Sequence, residues 1–516
     1  MKVIRIGAMF LAALLYMGAS GEARAAWSQG RTRHFIVYSQ GSAKELTGFA
    51  EKLEKFDFLL RKMTNTPDTE PGSPVIVFMV PSSNVVEKLA GRKNVAGFYD
   101  GSRRNGYAVV ARERKNGQFD LGAEEILFHE YAHHFMLHYF PAAYPAWYIE
   151  GFAEYYSVVK FPEDQSIEFG LAPLYRAYGL VLMKPLPLAQ LFSGKTEKMS
   201  PPDMDRFYGT AWLLTHYFRY TSARGAEFDK YLSDMVNGTA KDADTYFKGG
   251  LKTLDAELRR YLEKRKLSAN RLSPQEMPKI SVQVFAVEAG QAALMTYEIR
   301  RLQAVEEDRG DKAKKAAFLA EVRPIAAKFP QSAYAQAFLA EAELAAGLDD
   351  AALADADRAI GLDPKYAPAY ATKADVLLEK AREKDDPGIR KAALAAIIKG
   401  NRLDTEDAAP LVQFYRYHKM FGSEVPATAY HGLEKAFALV PQYDEYRFML
   451  SSSYADRKQY RIAARLLDPI AFSPHDSPHK AYALKLQDAL MKVESSGGTL
   501  DMMDLEAPSV ELPVGK

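Results

Sequence analysis

Residues 127–136 read Leu-Phe-His-Glu-Tyr-Ala-His-His-Phe-Met, an H-E-x-x-H pattern at His129, Glu130 and His133. Residues four apart lie on one face of a helix, so the two imidazoles can reach one divalent cation while Glu130 turns beside them towards a water molecule. Neutral imidazole is a favoured donor for Zn²⁺, whose tetrahedral geometry leaves a fourth position open once three side chains are bound. A third ligand is at hand. Residues 147–155 read Trp-Tyr-Ile-Glu-Gly-Phe-Ala-Glu-Tyr and offer Glu150, with sixteen residues intervening after His133. Pro141 and Pro145 interrupt the chain between the two stretches, so one helix can end and a second fold back against it. The uncharged Tyr131 and Ala132, with Ile126, Phe135 and Met136, let the first helix pack into a core. Two histidines with one carboxylate are the ligand set of catalytic zinc sites, whereas closed structural sites use four side chains. His134 and His138 are also four apart but have no acid between them, and they read as surface or interface residues.

H-E-x-x-H followed by W-x-x-E-G-x-A-E-Y resembles the gluzincin metallopeptidases, their peptidase-MA-like branch most closely, over about residues 30–265. It is also similar to the aminopeptidase-N-type enzymes, which have a slightly longer interval before the glutamate. The resemblance implies zinc-assisted hydrolysis of a peptide or protein substrate, with Glu130 taking a proton from water and passing it to the leaving amine. Glu154 stands where thermolysin-like relatives carry an acid that orients a ligand histidine, which implies the same role here. Residues 208–214, Tyr-Gly-Thr-Ala-Trp-Leu-Leu, resemble the helix that bears the oxyanion tyrosine of the aminopeptidase-N-type enzymes. Tyr208 is thereby implied as an oxyanion donor, although Thr210 stands where those enzymes commonly have lysine. Their G-x-M-E-N signature is absent, so nothing points to capture of a substrate amino terminus.

These residues need elements to hold them. His34–Tyr38 reads as a strand, and Ser42–Met63 as an amphipathic helix with Leu46, Phe49, Ala50, Leu53, Phe56 and Leu60 at helical spacing. Val75–Val80 is a buried strand and Val85–Leu89 a short helix. The apolar run Tyr107–Ala111, flanked by turn signals, is expected as the edge strand that an extended substrate would join. From Gly122 the pattern is helical, so this part is expected to be α+β, a zincin-like metallopeptidase domain.

The second half carries a repeat. Pro330 and Pro364, Ala333 and Ala367, Ala340 and Ala374, and Leu344 and Leu378 are each 34 residues apart. That period, with small residues at Ala340, Ala352 and Ala359 and further on at Ala436 and Ala463, resembles tetratricopeptide repeats in an all-α solenoid. Solenoids of this kind bind protein partners. The expected domains are a signal peptide over 1–25, a metallopeptidase domain over 26–270, a connecting segment over 271–300, repeats over 301–494 and a disordered tail over 495–516.

Composition narrows the class. With 516 residues, 48% hydrophobic and 26% charged, the chain is a globular protein of more than one core. The 67 basic and 66 acidic residues leave no basic footprint for nucleic acid. Lys2 and Arg5, the apolar run 6–17 and Ala23-Arg24-Ala25 read as a cleavable export signal, which implies a bacterial periplasmic or secreted protein with no stable membrane insertion. There is no cysteine, hence no disulfide framework. A competing reading makes the repeats the working part, a scaffold for envelope assembly, with an inactive or merely metal-stabilised zincin domain. Glu130 favours the enzyme, since a structural zinc site needs no base beside its ligands.

Overall fold

The computed structural model describes residues 26–497 apart from 69–71, 92, 94, 114–116, 118, 197–198, 222–223, 265–266, 308–310 and 474–476. The expected export signal over 1–25 and the tail beyond 497 therefore lie outside the described residues, as does Pro474.

Alternation builds the sheet. Strand β1 (Ser28–Arg31) pairs antiparallel with β2 (Phe35–Ser39), in which Phe35 and Val37 are fully buried on one face while Ile36 and Tyr38 face the other way. Ser42 then starts helix α1 (Ala43–Thr64) with a capping box to Glu45. Leu46, Ala50, Leu53, Phe56 and Leu60 are buried at the helical spacing expected for a face laid on a sheet. Strand β3 (Val75–Val80) pairs parallel with β2, helix α2 (Ser83–Ala90) follows, and β4 (Gly97–Gly101) forms an antiparallel hairpin with β5 (Gly106–Ala111). The six-stranded order is β4-β5-β3-β2-β1-β8, the last being Gln283–Ala286. The run 107–111 is thus an inner strand, and β4 takes the edge position expected for it: Asp100 and Gly101, in the stretch 100–106 that reads as turn, belong to a strand that closes a hairpin.

Helices α3 (Ala123–Tyr139) and α4 (Ala146–Ser157) come next, separated by the two prolines as their spacing requires. Beyond the short strand β6 (Ile167–Phe169) lie α5 (Leu188–Phe192), α6 (Pro201–Tyr220), α7 (Gly225–Asn237) and α8 (Gly250–Leu262). The segment 271–300 is more than a connector. Strand β7 (Asn270–Leu272) pairs with β6, and β8 (Gln283–Ala286) returns to the main sheet beside β1. Helix α9 (Ala289–Glu307) then starts inside that segment, and Gln291 donates to the Tyr38 hydroxyl at 3.2 Å. Helices α1 and α3 cover one face of the sheet, α2 and α9 the other.

The second half is a row of antiparallel helix pairs. After α10 (Lys312–Ala326) come α11 (Ala333–Ala345) with α12 (Asp349–Leu362), and α13 (Ala367–Lys384) with α14 (Pro387–Leu403). Then follow α15 (Ala408–Phe421) with α16 (Ala427–Leu439), α17 (Asp444–Asp456) with α18 (Tyr460–Leu466), and α19 (Asp468–Ala471) with α20 (Pro478–Ser496). Ser495, expected in the tail, belongs to α20. Ala333 and Ala367 open successive first helices, and Ala340, Ala352, Ala359, Ala374, Ala436 and Ala463 have no exposed surface. Small side chains at those points let paired helices touch. No helix among the described residues is long and apolar enough to cross a membrane.

Ala374 lies in a core with Leu377, Leu378, Ala393 and Ile397. Ala374→Leu is expected to lower unfolding free energy by about 1–3 kcal/mol through overpacking. Urea titration reads this as a lower midpoint at unchanged slope.

Candidate metal centre

Helix α3 supplies two imidazoles from one face while Leu127, Phe128, Ala132 and Phe135 bury the other. Helix α4 lies alongside and presents Glu150, whose side chain has no exposed surface. Its anchor is Trp147, fully buried among Phe192, Phe218, Phe228 and Tyr231. Gly151 lets α6 press against α4: a Cβ there would meet the Thr215 hydroxyl and stand 2.6 Å from the Ala211 carbonyl oxygen. The glycine of the W-x-x-E-G pattern is thus a packing requirement.

The three candidate donors converge. His129 Nε2 and His133 Nε2 are 3.1 Å apart and lie 3.2 and 3.3 Å from Glu150 Oε2. Donors at zinc bond lengths of about 2.0–2.2 Å and tetrahedral angles stand about 3.3–3.6 Å from one another. The triangle therefore fits one small divalent cation lying slightly above its plane, with a fourth direction open. With protons as the only counter-charge, burial lowers the pKa of His129, but Glu150, Glu154 and Glu130 outweigh it and raise it to about 9. Positive charge belongs at this point.

Glu154, one turn beyond Glu150, approaches the other side of the ring: its Oε1 is 3.7 Å from His129 Nδ1. It is held by partners that the sequence did not reveal. Arg176 donates from Nη2 at 2.6 Å and from Nε at 3.1 Å, and the Tyr175 hydroxyl donates at 3.0 Å. Arg176 also pairs with Asp205 at 3.1 Å and lies 4.6 Å from the centre of the Tyr208 ring. Tyr208 in turn sets its ring 6.2 Å from that of His129. Burial and the nearby Glu150 raise its phenol well above the ordinary value, so it stays a hydrogen donor. Glu130 is half-buried on α3. The turn after Arg176 leaves Tyr178, Val181 and Leu182 as exposed apolar groups.

His216, His134 and His34 are held by protein partners. His216 is fully buried, donates from Nε2 to the Ser268 carbonyl and accepts from the Tyr261 hydroxyl, each at 2.9 Å. His134 is buried against β4, where its Nδ1 accepts from the Tyr99 hydroxyl at 2.6 Å. A second acid–histidine cluster, His34, Glu54 and Asp57, is already closed by protein groups. Asp57 accepts from Arg61 Nε at 2.6 Å and from the Tyr131 hydroxyl at 2.7 Å, and His34 Nδ1 lies 2.9 Å from Glu54. The Arg61 guanidinium already supplies positive charge to Asp57. A cavity of about 2320 Å³ lies between the sheet and the helix pairs and is lined by none of these groups.

That cluster has a pH signature. Burial lowers the pKa of His34, but Glu54 and Asp57 hold it above 6.5; burial raises that of Glu54, but His34 holds it below 4.5. The His34 contribution is complete below pH 6.5 and lost as pH rises through its folded value; that of Glu54 is complete above pH 4.5 and lost as pH falls. The stability gap between wild type and His34→Gln is therefore expected to be widest between these limits. It should shrink towards pH 9, as read by urea midpoints.

No protein-family model matches the chain, and no curated protein matches it. Among solved structures, a thermophilic tetratricopeptide-repeat protein of Thermus thermophilus is similar at 20% identity and a TM-score of 0.32, over 38% of this chain and 98% of that one.

Proposed function

We propose that the chain is an exported zinc-dependent peptidase of the gluzincin type, with His129, His133 and Glu150 holding the ion. The observation that carries this reading is the triangle of two imidazole nitrogens and one buried carboxylate oxygen, with edges of 3.1, 3.2 and 3.3 Å. Bound there, zinc supplies Lewis-acid polarisation of a carbonyl and acidifies water. The protein supplies the rest. Glu130, beside the ligands on α3, takes the proton of the attacking water and delivers it to the departing amine. Tyr208 donates to the oxygen that gains charge, and Arg176 over its ring keeps it facing the site. Glu154 turns His129 so that Nε2 points inwards. Strand β4, the terminal strand of the sheet nearest α3, offers backbone groups to an extended peptide. The exposed Tyr178, Val181 and Leu182 give apolar peptide side chains a surface to lie on.

The decisive comparison is between wild type, Glu130→Gln and His129→Ala, assayed for bound zinc and for cleavage of a peptide library. Glu130→Gln is expected to retain about one zinc per chain while kcat falls by about 10²–10⁴-fold. His129→Ala is expected to lose both metal and activity, and Tyr208→Phe to lower kcat by about 10²-fold at unchanged zinc content. Equal cleavage by wild type and Glu130→Gln, or stoichiometric zinc with no cleavage by any of them, refutes the peptidase and leaves a metal-stabilised scaffold.

A further inference from the structure

The first helices of the repeats, α11, α13, α15 and α17, face the sheet, and what they meet is the turn between β4 and β5. Arg103 Nη2 lies 3.0 Å from Asp375 on α13, and Arg104 Nε lies 3.5 Å from Asp407 at the start of α15. The Tyr446 hydroxyl on α17 donates to the Arg103 carbonyl at 2.9 Å. Arg104 Nη2 reaches the Pro368 carbonyl at 3.4 Å, and its Nη1 lies 3.7 Å from Glu341 on α11. Side chains from four repeat helices thus converge on two consecutive arginines. The fit is also steric, since a Cβ on Gly101 would lie 2.8 Å from the carbonyl oxygen of Gln442.

The turn is rigid in itself. Ser102 N–H and its hydroxyl both donate to the Asn105 carbonyl, at 2.8 and 2.7 Å, and the Asn105 amide ties back to Ser73 and Pro74 at the start of β3. From the turn, β4 runs to α3. Tyr99 donates to His134, the residue next to His133, and a Cβ on Gly97 would touch Ile126 at 3.3 Å.

We propose that the inner face of the repeats is a receptor for the chain's own 101–106 turn, and that this docking holds β4 in place beside the metal helix, with Arg103 as the positioning residue. The part played by β4 towards substrate rests on the peptidase reading above; the docking does not. An edge strand paired on one side only is prone to fray, and a rigid turn gripped by a second domain removes that freedom. The repeats then serve the first half of the same chain, and the part of their inner face that grips the turn is occupied by that chain itself.

The test uses the full chain with Arg103→Glu, with Asp375→Arg, with both together, and with Gly101→Ala. Hydrogen exchange of the amides of 97–106 is followed, with α1 and α20 as controls for folding, and KM and kcat are measured for a peptide substrate. Each single variant is expected to speed exchange in 97–106 by about tenfold or more while α1 and α20 hold, and to raise KM more than it lowers kcat. The charge-swapped pair should recover protection and KM together. Unchanged protection in the single variants overturns the docking role, and loosened β4 with unchanged KM overturns the positioning role. If wild type cleaves nothing, the peptidase reading falls, and exchange with the charge-swap rescue alone decides whether the repeats hold β4.

Discussion

A carboxylate with no exposed surface, Glu150, lies against two imidazoles, and much of the first half is arranged so that it can. Taking such a group out of water costs several kcal/mol unless opposite charge and hydrogen bonds compensate it. Neutral imidazoles cannot supply that charge; a proton or a divalent cation can. The requirement explains the close approach of α6 to α4 at Gly151, the aromatic packing that fixes Trp147, and the second carboxylate on α4, Glu154, neutralised by Arg176. Each of these sets the depth or direction of one side chain in the cluster.

The candidate site was legible where its parts are local. Helical spacing alone brings His129 and His133 to one face, two prolines mark the break, and Glu150 stands at a distance that a returning helix allows. Tyr208 became visible only by resemblance, yet it does stand against His129. Arg176 and Tyr175 were not legible. They sit in a short turn without periodicity, and what joins them to Glu154 is the folding of a third element across α4. His134 was read as surface or interface, and it packs on β4, because nothing local indicates which strand lies over a helix.

In the fold, long buried strands and strongly periodic helices were read closely, whereas short or polar strands were missed. Strand β4 is bounded by glycines and runs into the turn-rich stretch 100–106; only its pairing with β5 makes it a strand, and that also moves the sheet edge away from 107–111. Strand β7 lies in a polar stretch punctuated by proline, and the residues of β8 are all exposed, so no burial alternation marks it. The alanine spacing disclosed the helix pairs. It was silent about which face they turn inwards and about the arginine pair that meets them.

Strand β8 has a mechanical consequence. It is the last strand of the sheet, it pairs along β1, and only residues 287–288 separate it from α9. The joint between the halves is therefore no swivel: turning the helical arm about this point would unzip a ladder of backbone hydrogen bonds. Severing the chain at 270 would strip the sheet of a border and leave β1 as a bare template for aggregation. Sheet-bearing head and helical arm are in this sense woven together.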